Sequence, residues 1–355
     1  MSTSGPKMAD LVFEGGGVKG IGLGGAYAAL EDKGWRPNNV AGTSAGAITA
    51  ALVAAGYGAA ELKDIVFHMP FVKFKDVGGI SRIPFFGGPL NVLKDLGIYE
   101  GKFFHEWISG LLAAKNVTKF GDLVNEDISD PKYRHKLRVI ASDVTHKRML
   151  ILPDDAPHLG IEPDEMIVAD AVRMSMSIPI FFEPVEIRGG DEDEHEHTIV
   201  DGGMLSNFPV WLFDCPPGKQ PRWPTFGLML VEPEPRKAIG HRLAHEDDAT
   251  IQHGSLIDFA KGLALTMMAA HDRMYLDEAT FARTIAIPTL GVGTTEFEIT
   301  PDRIRALYQS GYDAAVKFLD GFNFKKYIEA YREAEPPGRQ EQILGTATQP
   351  APGTP

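Results

Sequence analysis

The sequence predicts an α/β protein with three layers, α/β/α, around a central and mostly parallel sheet. Short apolar runs rich in β-branched residues alternate with Ala- and Leu-rich runs of helical length over the first part of the chain. Glycine-rich turns separate these strands from the helices after them, and more strand-like runs follow later. With 355 residues, of which 44% are apolar, the chain can bury a sizeable core.

The N-terminal part has the order strand, helix, strand, helix. Residues 11–13 give a strand signal before a group of glycines, residues 21–33 a helix signal, and Val40 marks a second strand before a helix at 45–55. Strands joined through helices in this way pair in parallel. Later apolar runs extend the prediction to a sheet of roughly five to seven strands. These runs cover residues 137–141, 149–152, 198–200, 226–231 and 284–287.

Residues 8–334 are predicted to form one domain, because no repeat or strong change in composition divides them. Within this domain, residues 62–98 mix phenylalanines with prolines and glycines. We expect this segment to be either a lid over the site or part of the core, and its composition fits both. Residues 335–355 are rich in Pro, Gly, Gln and Thr and are expected to be a disordered C-terminal tail.

The acidic run DEDEHEH at residues 191–197 follows two glycines and contains no apolar residue. It is expected to be a solvated hairpin loop. Its two histidines suggest metal ligands, but such ligands need a fixed geometry, which a mobile loop does not supply. The sequence therefore predicts no metal site.

Composition limits the partners and the location of the protein. A formal net charge of −13 opposes non-specific attraction to nucleic acid and to anionic lipid headgroups, so membrane contact is expected to be transient, local and apolar. The single cysteine, Cys215, cannot form an internal disulfide, which fits a reducing compartment. Residues 1–10 show no secretory pattern, and the most apolar stretch, 48–60, is shorter than the about 20 residues that span a bilayer. We expect a cytoplasmic protein in peripheral contact with membranes.

The first chemical motif is a Gly-X-Ser-X-Gly pentapeptide between a strand signal and a helix signal. In this context the pattern is typical of a nucleophile elbow, a sharp turn that lifts a serine hydroxyl above the sheet. Small neighbours are needed because the backbone is strained and crowded there. The pentapeptide consists of Gly42, Thr43, Ser44, Ala45 and Gly46. The alternative is a packing or capping role for Ser44 at a helix start.

The second motif is a glycine-rich loop, residues 15–20, between the first strand and the first helix. It fits Gly-X-Gly-X-X-Gly, a pattern of dinucleotide-binding sites that also suits the supply of amides to an oxyanion. A dinucleotide site would have an acidic residue at the end of the second strand, about twenty positions on. Glu31 and Asp32 lie nearer than that and on the helix. The oxyanion interpretation is therefore favoured, and nucleotide binding remains an alternative.

A serine nucleophile needs a proton acceptor, and two kinds of candidate are present. Asp201 follows the strand signal at 198–200 and precedes Gly202 and Gly203, which let a turn bring a carboxylate against another strand end. Taken alone, Asp-Gly-Gly is a common turn with a solvent-facing aspartate. Several histidines are also available for a triad, but they lie in polar or helical surroundings without a strand end to present them. They are His241, His245, His253 and His271.

Taken together and in this order, the glycine-rich loop, the serine elbow and the distant Asp-Gly-Gly turn resemble the patatin-like phospholipase family. Residues 171–185, AVRMSMSIPIFFEPV, are similar to the family's segment that leads from a helix towards the aspartate. The resemblance extends over residues 9–319. It implies a patatin-like version of the α/β fold.

The resemblance also implies a catalytic dyad. Ser44 would be the nucleophile, Asp201 the general base, and backbone amides of the glycine-rich loop the oxyanion hole, with no cofactor, metal or histidine. Lys19 stands where many relatives carry arginine, which keeps a positive charge near the loop but not a bidentate donor. The oxyanion-hole residues carried over are Gly15, Gly16, Gly17, Val18, Lys19 and Gly20.

The implied activity is hydrolysis of fatty acyl esters, of the phospholipase A or lysophospholipase type, on a phospholipid or another fatty acyl ester. Two alternatives remain open. One is a regulated effector whose lid or oligomer interface is gated by a ligand or partner, and the other is a nucleotide-binding module built on residues 15–20. Four methionines are expected either to line an acyl channel or to pack in the core. They are Met174, Met176, Met267 and Met268.

Overall fold

A mixed β-sheet forms the centre of the computed structural model, which describes residues 6–74, 101–126, 131–189, 196–216, 219–232, 263, 266–267 and 278–332. Eight strands belong to this sheet within the described residues. They are β1 (Lys7–Phe13), β2 (Trp35–Thr43), β3 (Leu137–Asp143), β4 (Arg148–Leu152), β5 (Val185–Arg188), β6 (Glu196–Asp201), β7 (Thr225–Val231) and β8 (Thr284–Pro288).

The strand order is β5-β6-β3-β2-β1-β7-β8, and β4 also pairs with β3. The pairs β1–β2, β1–β7, β2–β3 and β7–β8 are parallel, whereas β3–β4, β3–β6 and β5–β6 are antiparallel. The predicted fold class, a mostly parallel sheet with flanking helices, is confirmed. The prediction missed β5, a four-residue strand whose alternating, half-exposed side chains carry a weak signal.

Helices connect and flank the strands. Among them α2 has a sequence of alanine, leucine and other apolar residues, and a helix that is apolar on all sides is buried on all sides. No described helix is both long and apolar enough to cross a membrane. In the described residues the α-helices are α1 (Ile21–Asp32), α2 (Ala45–Ala54), α3 (Ala59–Phe67), α4 (Lys102–Ala114), α5 (Val168–Ser175), α6 (Glu278–Phe281), α7 (Pro301–Gly321) and α8 (Phe324–Tyr331).

Both faces of the central strands are buried. In β1, Leu11 and Phe13 belong to the large core that includes α1, α2 and α7, whereas Val12 faces the opposite side and packs with the segment 208–213. Alternate residues of a strand point to opposite faces. A strand that is covered on both faces is apolar at every position, which explains the continuous apolar runs in the sequence.

Two predicted irregular segments fall partly within the described residues. The segment 62–98 begins as the end of α3, and Phe71 near its start is buried, while residues 75–100 lie outside the described residues. The predicted loop 191–197 is wrong at its end, because Glu196 and His197 are the first residues of β6 and His197 is buried. Residues 190–195 and the predicted tail 335–355 lie outside the described residues.

One edge of β3 is shared by two strands that meet end to end. Parallel β2 pairs with residues 137–140 of β3, and antiparallel β6 pairs with residues 141–143. The opposite edge of β3 is occupied by β4, which pairs with residues 139–143. Thr43 therefore lies opposite Ile140, and Asp201 lies opposite the next residue, Ala141. This register brings the C-terminal ends of β2 and β6 together.

A buried ion cluster joins distant parts of the chain around Asp214. Arg283, just before β8, donates from Nη2 to Asp214 Oδ2 at 3.0 Å, and Arg332, just after α8, donates from Nη2 to Oδ1 at 3.0 Å. Burial raises the pKa of Asp214, but the two guanidinium groups lower it by more, so its pKa lies below the usual range. The carboxylate is therefore charged and holds two buried cations.

Replacing Asp214 with alanine is expected to destabilise the protein by about 3–5 kcal/mol, because it leaves the two buried guanidinium groups without this carboxylate. Urea unfolding of the Asp214→Ala variant measures this cost. The matched control is Lys33→Ala, which removes an exposed ion pair with Asp320 and is expected to cost at most about 1 kcal/mol. Equal effects of the two variants would contradict the role assigned to Asp214.

Candidate active site

Ser44 lies at the tight turn between β2 and α2. Its φ of 53° and ψ of −125° are uncommon for a residue with a side chain. The neighbouring glycines allow this turn. A Cβ atom at Gly46 would lie 2.2 Å from the carbonyl oxygen of Phe13, and one at Gly42 would lie 2.3 Å from the carbonyl oxygen of Gly46. The structure therefore shows the crowded strand-to-helix elbow that the pentapeptide predicts.

The elbow is held by hydrogen bonds from its backbone and side chains. Ser44 N donates to Ser175 Oγ at 2.8 Å, and Thr43 Oγ1 donates to the carbonyl oxygen of Ser206 at 3.0 Å. Ser175 is the last residue of α5 and is fully buried, so its hydroxyl fixes the backbone at the serine. The sequence motifs missed Ser175, although it lies inside the segment 171–185.

Asp201 is the last residue of β6 and is completely buried, so it is not the solvent-facing residue of an ordinary hairpin turn. Gly203 N donates to Asp201 Oδ1 at 2.7 Å. The next residue, Gly202, must lack a side chain, because a Cβ atom there would lie 2.2 Å from the carbonyl oxygen of Ile140. The two glycines of the turn thus have different roles: Gly203 donates its amide to Asp201, and Gly202 allows close packing against β3.

The side chains of Ser44 and Asp201 come together at the junction of β2 and β6. Neither Ser44 Oγ nor Asp201 Oδ2 has a hydrogen-bond partner of ordinary geometry among the described residues, and both atoms are buried. Burial raises the pKa of Asp201 to about 7, and the nearby Ser44 hydroxyl and the Gly203 amide lower it by less. The pair is therefore a hydroxyl facing a carboxyl that titrates near neutral pH.

The glycine-rich loop lies beside Ser44 and runs from β1 into α1. Three of its amides already have protein acceptors: Gly15 N donates to Asn207 O, Val18 N to Thr294 O, and Lys19 N to Gly16 O. Within the described part of the chain, the amides of Gly16 and Gly17 have no such acceptor. The amides of Gly16 and Gly17 are therefore available to donate to a bound group.

Gly17 requires glycine at its position. Its φ is +56°, in the left-handed region, and a Cβ atom there would lie 2.1 Å from the carbonyl oxygen of Thr294. Gly20, at the end of the loop, caps α1 and lines the same cavity as Gly17 and Ser44. The loop therefore approaches the serine with its backbone.

Two side chains outside the predicted motifs hold this loop. The backbone carbonyl oxygen of Asn207 accepts from Gly15 N at 3.0 Å, and the side-chain Nδ2 of Asn207 donates to Gly15 O at 3.0 Å. Glu14 accepts from the Leu230 amide of β7. Sequence reasoning missed Asn207, whose only signal is its position a few residues after the Asp-Gly-Gly turn. The loop is thus tied both to the turn region of Asp201 and to the sheet.

Lys19 pairs its charge with a carboxylate in this structure. Its Nζ lies 2.6 Å from Glu232 Oε1, and Glu232 also accepts from the Thr289 hydroxyl at 2.9 Å. The ion pair joins the loop to the end of β7. Lys19 therefore contributes an anchor for the loop in this structure, and the positive charge inferred from the sequence is neutralised by a carboxylate.

An apolar cavity opens at Ser44. Of the methionines considered as channel residues, Met176 lines it, Met174 packs in the core, Met267 is partly exposed, and Met268 lies outside the described residues. The cavity has the predominantly apolar lining of a site for an acyl chain. Its lining residues are Gly17, Val18, Gly20, Ile21, Ser44, Ala45, Ile48, Thr49, Val66, Met69, Phe71, Met176, Ile178, Phe182, Thr294 and Phe297.

Histidines take no part in this arrangement within the described residues, because none of them hydrogen bonds to Ser44 Oγ or Asp201 Oδ2. The four histidines considered for a triad, His241, His245, His253 and His271, lie outside the described residues. His146 and His197 form a separate cluster with Asp143 in which a metal ion could be held.

Known proteins that resemble this chain indicate its family. A family model described as patatin-like phospholipase matches residues 11–214. The chain is 39% identical over 324 residues to uncharacterized protein YqhO of Bacillus subtilis (strain 168), a match that covers 89% of this chain and 99% of that protein. It is 26% identical over 211 residues to uncharacterized protein R571 of Acanthamoeba polyphaga mimivirus, covering 59% of this chain and 62% of R571.

A solved structure shares the fold. The crystal structure of VipD from Legionella pneumophila superimposes with a TM-score of 0.50 at 19% identity, over 89% of this chain and 67% of VipD. The fold and the family match define a lipid acyl hydrolase of α/β architecture. The chain belongs to the patatin-like phospholipase family.

Removing the Ser175 hydroxyl is expected to lower kcat for ester hydrolysis about tenfold or more with little change in KM, because the Ser44 amide loses a buried partner and the turn at Ser44 loses a bond that fixes its backbone. Steady-state kinetics of Ser175→Ala measure this split, and Ser175→Thr should restore part of kcat. The matched control is Ser177→Ala. Ser177 is equally buried, but its hydroxyl donates to the carbonyl oxygen of Arg173. Equal losses in both alanine variants would contradict a positioning role.

Proposed function

We propose that the protein hydrolyses fatty acyl esters of lipids, as a phospholipase A or lysophospholipase, with Ser44 as nucleophile and Asp201 as general base. One observation carries the proposal. A buried serine hydroxyl on a strained elbow faces a buried carboxyl with a pKa of about 7, and the serine lines an apolar cavity. An isolated packing serine would need neither the strain nor the carboxyl.

The proposed reaction has two halves. Asp201 takes the proton of Ser44 as Oγ attacks the carbonyl carbon of the ester, and collapse of the tetrahedral intermediate expels the alcohol part of the lipid, which leaves with the proton. Water then attacks the acyl-enzyme, Asp201 takes a proton from that water, and Ser44 recovers a proton as the fatty acid departs. A single base serves both halves, so no histidine is required.

The raised pKa of Asp201 supports this role. A carboxylate with an ordinary pKa of about 4 is a weak base for a hydroxyl at neutral pH. Burial raises the pKa of Asp201 to about 7, which brings its basicity closer to that needed at neutral pH. The same burial removes water that would otherwise compete for the carboxylate.

The amides of Gly16 and Gly17 are the donors that we propose for the oxyanion. They have no protein acceptor within the described residues, Gly17 lines the cavity beside Ser44, and the loop is held in place by Asn207 and Thr294. Each donor aimed at a developing oxyanion contributes about 10²-fold to 10³-fold in rate. The N-terminus of α2 directly after Ser44 adds a favourable dipole.

The apolar lining of the cavity indicates that the cavity binds the acyl chain of the substrate. Its walls are formed largely by aliphatic, methionine and phenylalanine side chains such as Ile48, Val66 and Phe182. We propose transient contact with a lipid surface, from which the acyl chain enters, in the cytoplasm. The single cysteine is compatible with that reducing compartment.

Ser44→Ala is expected to reduce the release of fatty acid from phosphatidylcholine, and the cleavage of a p-nitrophenyl ester, by at least about 10³-fold, because no other side chain replaces the nucleophile. Asp201→Asn is expected to cause a comparable loss. The matched control is Asp155→Asn, because burial also raises the pKa of the Asp155 carboxyl, in the turn after β4. Retained activity in Ser44→Ala would disprove the assignment, whereas full activity in Asp201→Asn alone would disprove the role of the base.

The pH dependence follows from the pKa of about 7 for Asp201. The base must be ionised, so kcat/KM is expected to rise with pH and to reach half of its maximum near pH 7. The effect on stability has the opposite sign: the folded state holds this proton above the unfolded value of 3.8, so the stabilising contribution is lost as pH rises through about 7. Asp201→Asn should therefore be more stable than the wild type at pH 8 by thermal unfolding. A rate profile with its midpoint near pH 4 would contradict the raised pKa.

A further inference from the structure

We propose that Asp143, His146 and His197 form a binding site for a divalent transition metal ion of the zinc class. Asp143 is the last residue of β3, His146 lies in the turn between β3 and β4, and His197 is the second residue of β6. The site lies apart from the Ser44 cavity. The proposal does not depend on the proposed hydrolysis.

The three side chains offer ligand atoms at close range. The Nδ1 atoms of His146 and His197 each lie 2.9 Å from Asp143 Oδ2, and the three residues offer ligand atoms that lie within 4.8 Å of one another. Ligands at a zinc distance of about 2.0–2.1 Å are separated by roughly 3.3 Å in a tetrahedral site. Small outward movements of the side chains therefore create the space for the ion.

The hydrogen bonds of His197 call for a positive charge between it and Asp143. Its Nε2 faces the carbonyl oxygen of Gly189 at 3.0 Å, and because a carbonyl only accepts, Nε2 carries the hydrogen. In the neutral ring, Nδ1 then presents a lone pair to a carboxylate oxygen at 2.9 Å. His197 is 1% exposed and Asp143 is fully buried, so water cannot separate the two acceptors. A metal ion or a second proton resolves this conflict.

Hydrogen bonds from neighbouring groups to the three side chains favour a metal ion over a second proton. The Gly189 carbonyl orients His197 in the manner typical of metal-bound histidine. Asp143 Oδ1 accepts from Thr145 N at 3.1 Å and from His146 N at 3.2 Å, which directs Oδ2 at the two rings. His146 is partly exposed, at 22% of its side chain, so water can reach the ion as a further ligand. The Asp143 carboxylate and the His197 ring are thus held in orientations that suit metal ligands, and His146 lies beside them.

Arg148 opposes the ion and gives the proposal a direct test. Its Nε lies 3.3 Å from Asp143 Oδ2, so its positive charge competes with a cation for the same oxygen. The Arg148 side chain is partly exposed and can turn towards solvent. Removing this charge should therefore tighten metal binding, whereas it should weaken a cluster held by hydrogen bonds alone.

Metal binding at this point would act on the structure and not on the reaction itself. Asp143 lies opposite Ile199 in the β3–β6 pair, and Asp201 lies opposite Ala141 in the same pair. An ion shared by Asp143 and His197 would join the two strands close to Asp201. The ion would therefore hold β6 in the register that brings Asp201 to the end of β2.

The test uses the full chain after treatment with a chelator and desalting. Zn²⁺ alone, titrated by calorimetry, is expected to bind at one equivalent, and Co²⁺ is expected to give visible d–d absorption bands. His197→Gln and His146→Gln should each weaken binding by about 100-fold or more, and Arg148→Gln should strengthen it about tenfold. Zn²⁺ should raise the Tm of the wild type and not that of His197→Gln.

The matched control is His105→Gln, because His105 Nε2 also lies 2.6 Å from a carboxylate, that of Asp170, and within the described residues no second histidine joins that pair. This control should leave metal binding unchanged. Because His146 is partly exposed, its variant keeps the test valid if His197→Gln fails to fold. Three results would each overturn the proposal: no saturable binding at one equivalent, binding that survives His146→Gln, or a doubly protonated His197 in imidazole ¹⁵N spectra together with an absence of metal binding.

Discussion

The site depends on a single edge of β3, along which β2 and β6 meet end to end. Because β2 arrives in parallel and β6 arrives antiparallel, their C-terminal ends point towards each other at two consecutive residues of β3. Ser44 directly follows β2, and Asp201 ends β6. Backbone hydrogen bonds of the sheet thus bring together two residues that lie far apart in the chain, and the close packing of Gly202 against Ile140 leaves little freedom in the register.

Burial then changes the chemistry of the residues that the register brings together. A carboxylate at the surface would keep its ordinary pKa, whereas Asp201 lies beneath the sheet ends with one hydrogen bond from a backbone amide, and its pKa rises to about 7. The strained conformation of Ser44 costs about 1–3 kcal/mol, which the bond to Ser175 and the packing around α2 offset. Strain at Ser44 and a buried carboxyl oxygen without an ordinary hydrogen-bond partner among the described residues both reduce stability, so their presence at one point favours function.

Local sequence patterns predicted the turn and the loop of the site, but not the residues that hold them in place by hydrogen bonds. The elbow at Ser44 and the glycine-rich loop have backbone conformations that require small residues within a few positions, so their motifs are visible in the sequence. Ser175 and Asn207 act by hydrogen bonds across distances of 131 and 192 residues, and no local pattern marks such contacts. The acidic run misled the prediction for His197, because a polar sequence conceals a histidine that is buried by its pairing with Asp143.

By itself the sequence determined the fold class, the strand-to-helix turns and the glycine positions, because strand and helix periodicity and glycine requirements are properties of short segments. The tertiary structure decided which residues meet. The register of β3 placed Asp201 beside Ser44, the packing of Thr294 and Asn207 left two loop amides without protein acceptors in the described residues, and burial set the basicity of the carboxyl. Strand pairing and desolvation involve residues distant in the chain, so the local patterns of a single sequence do not predict them.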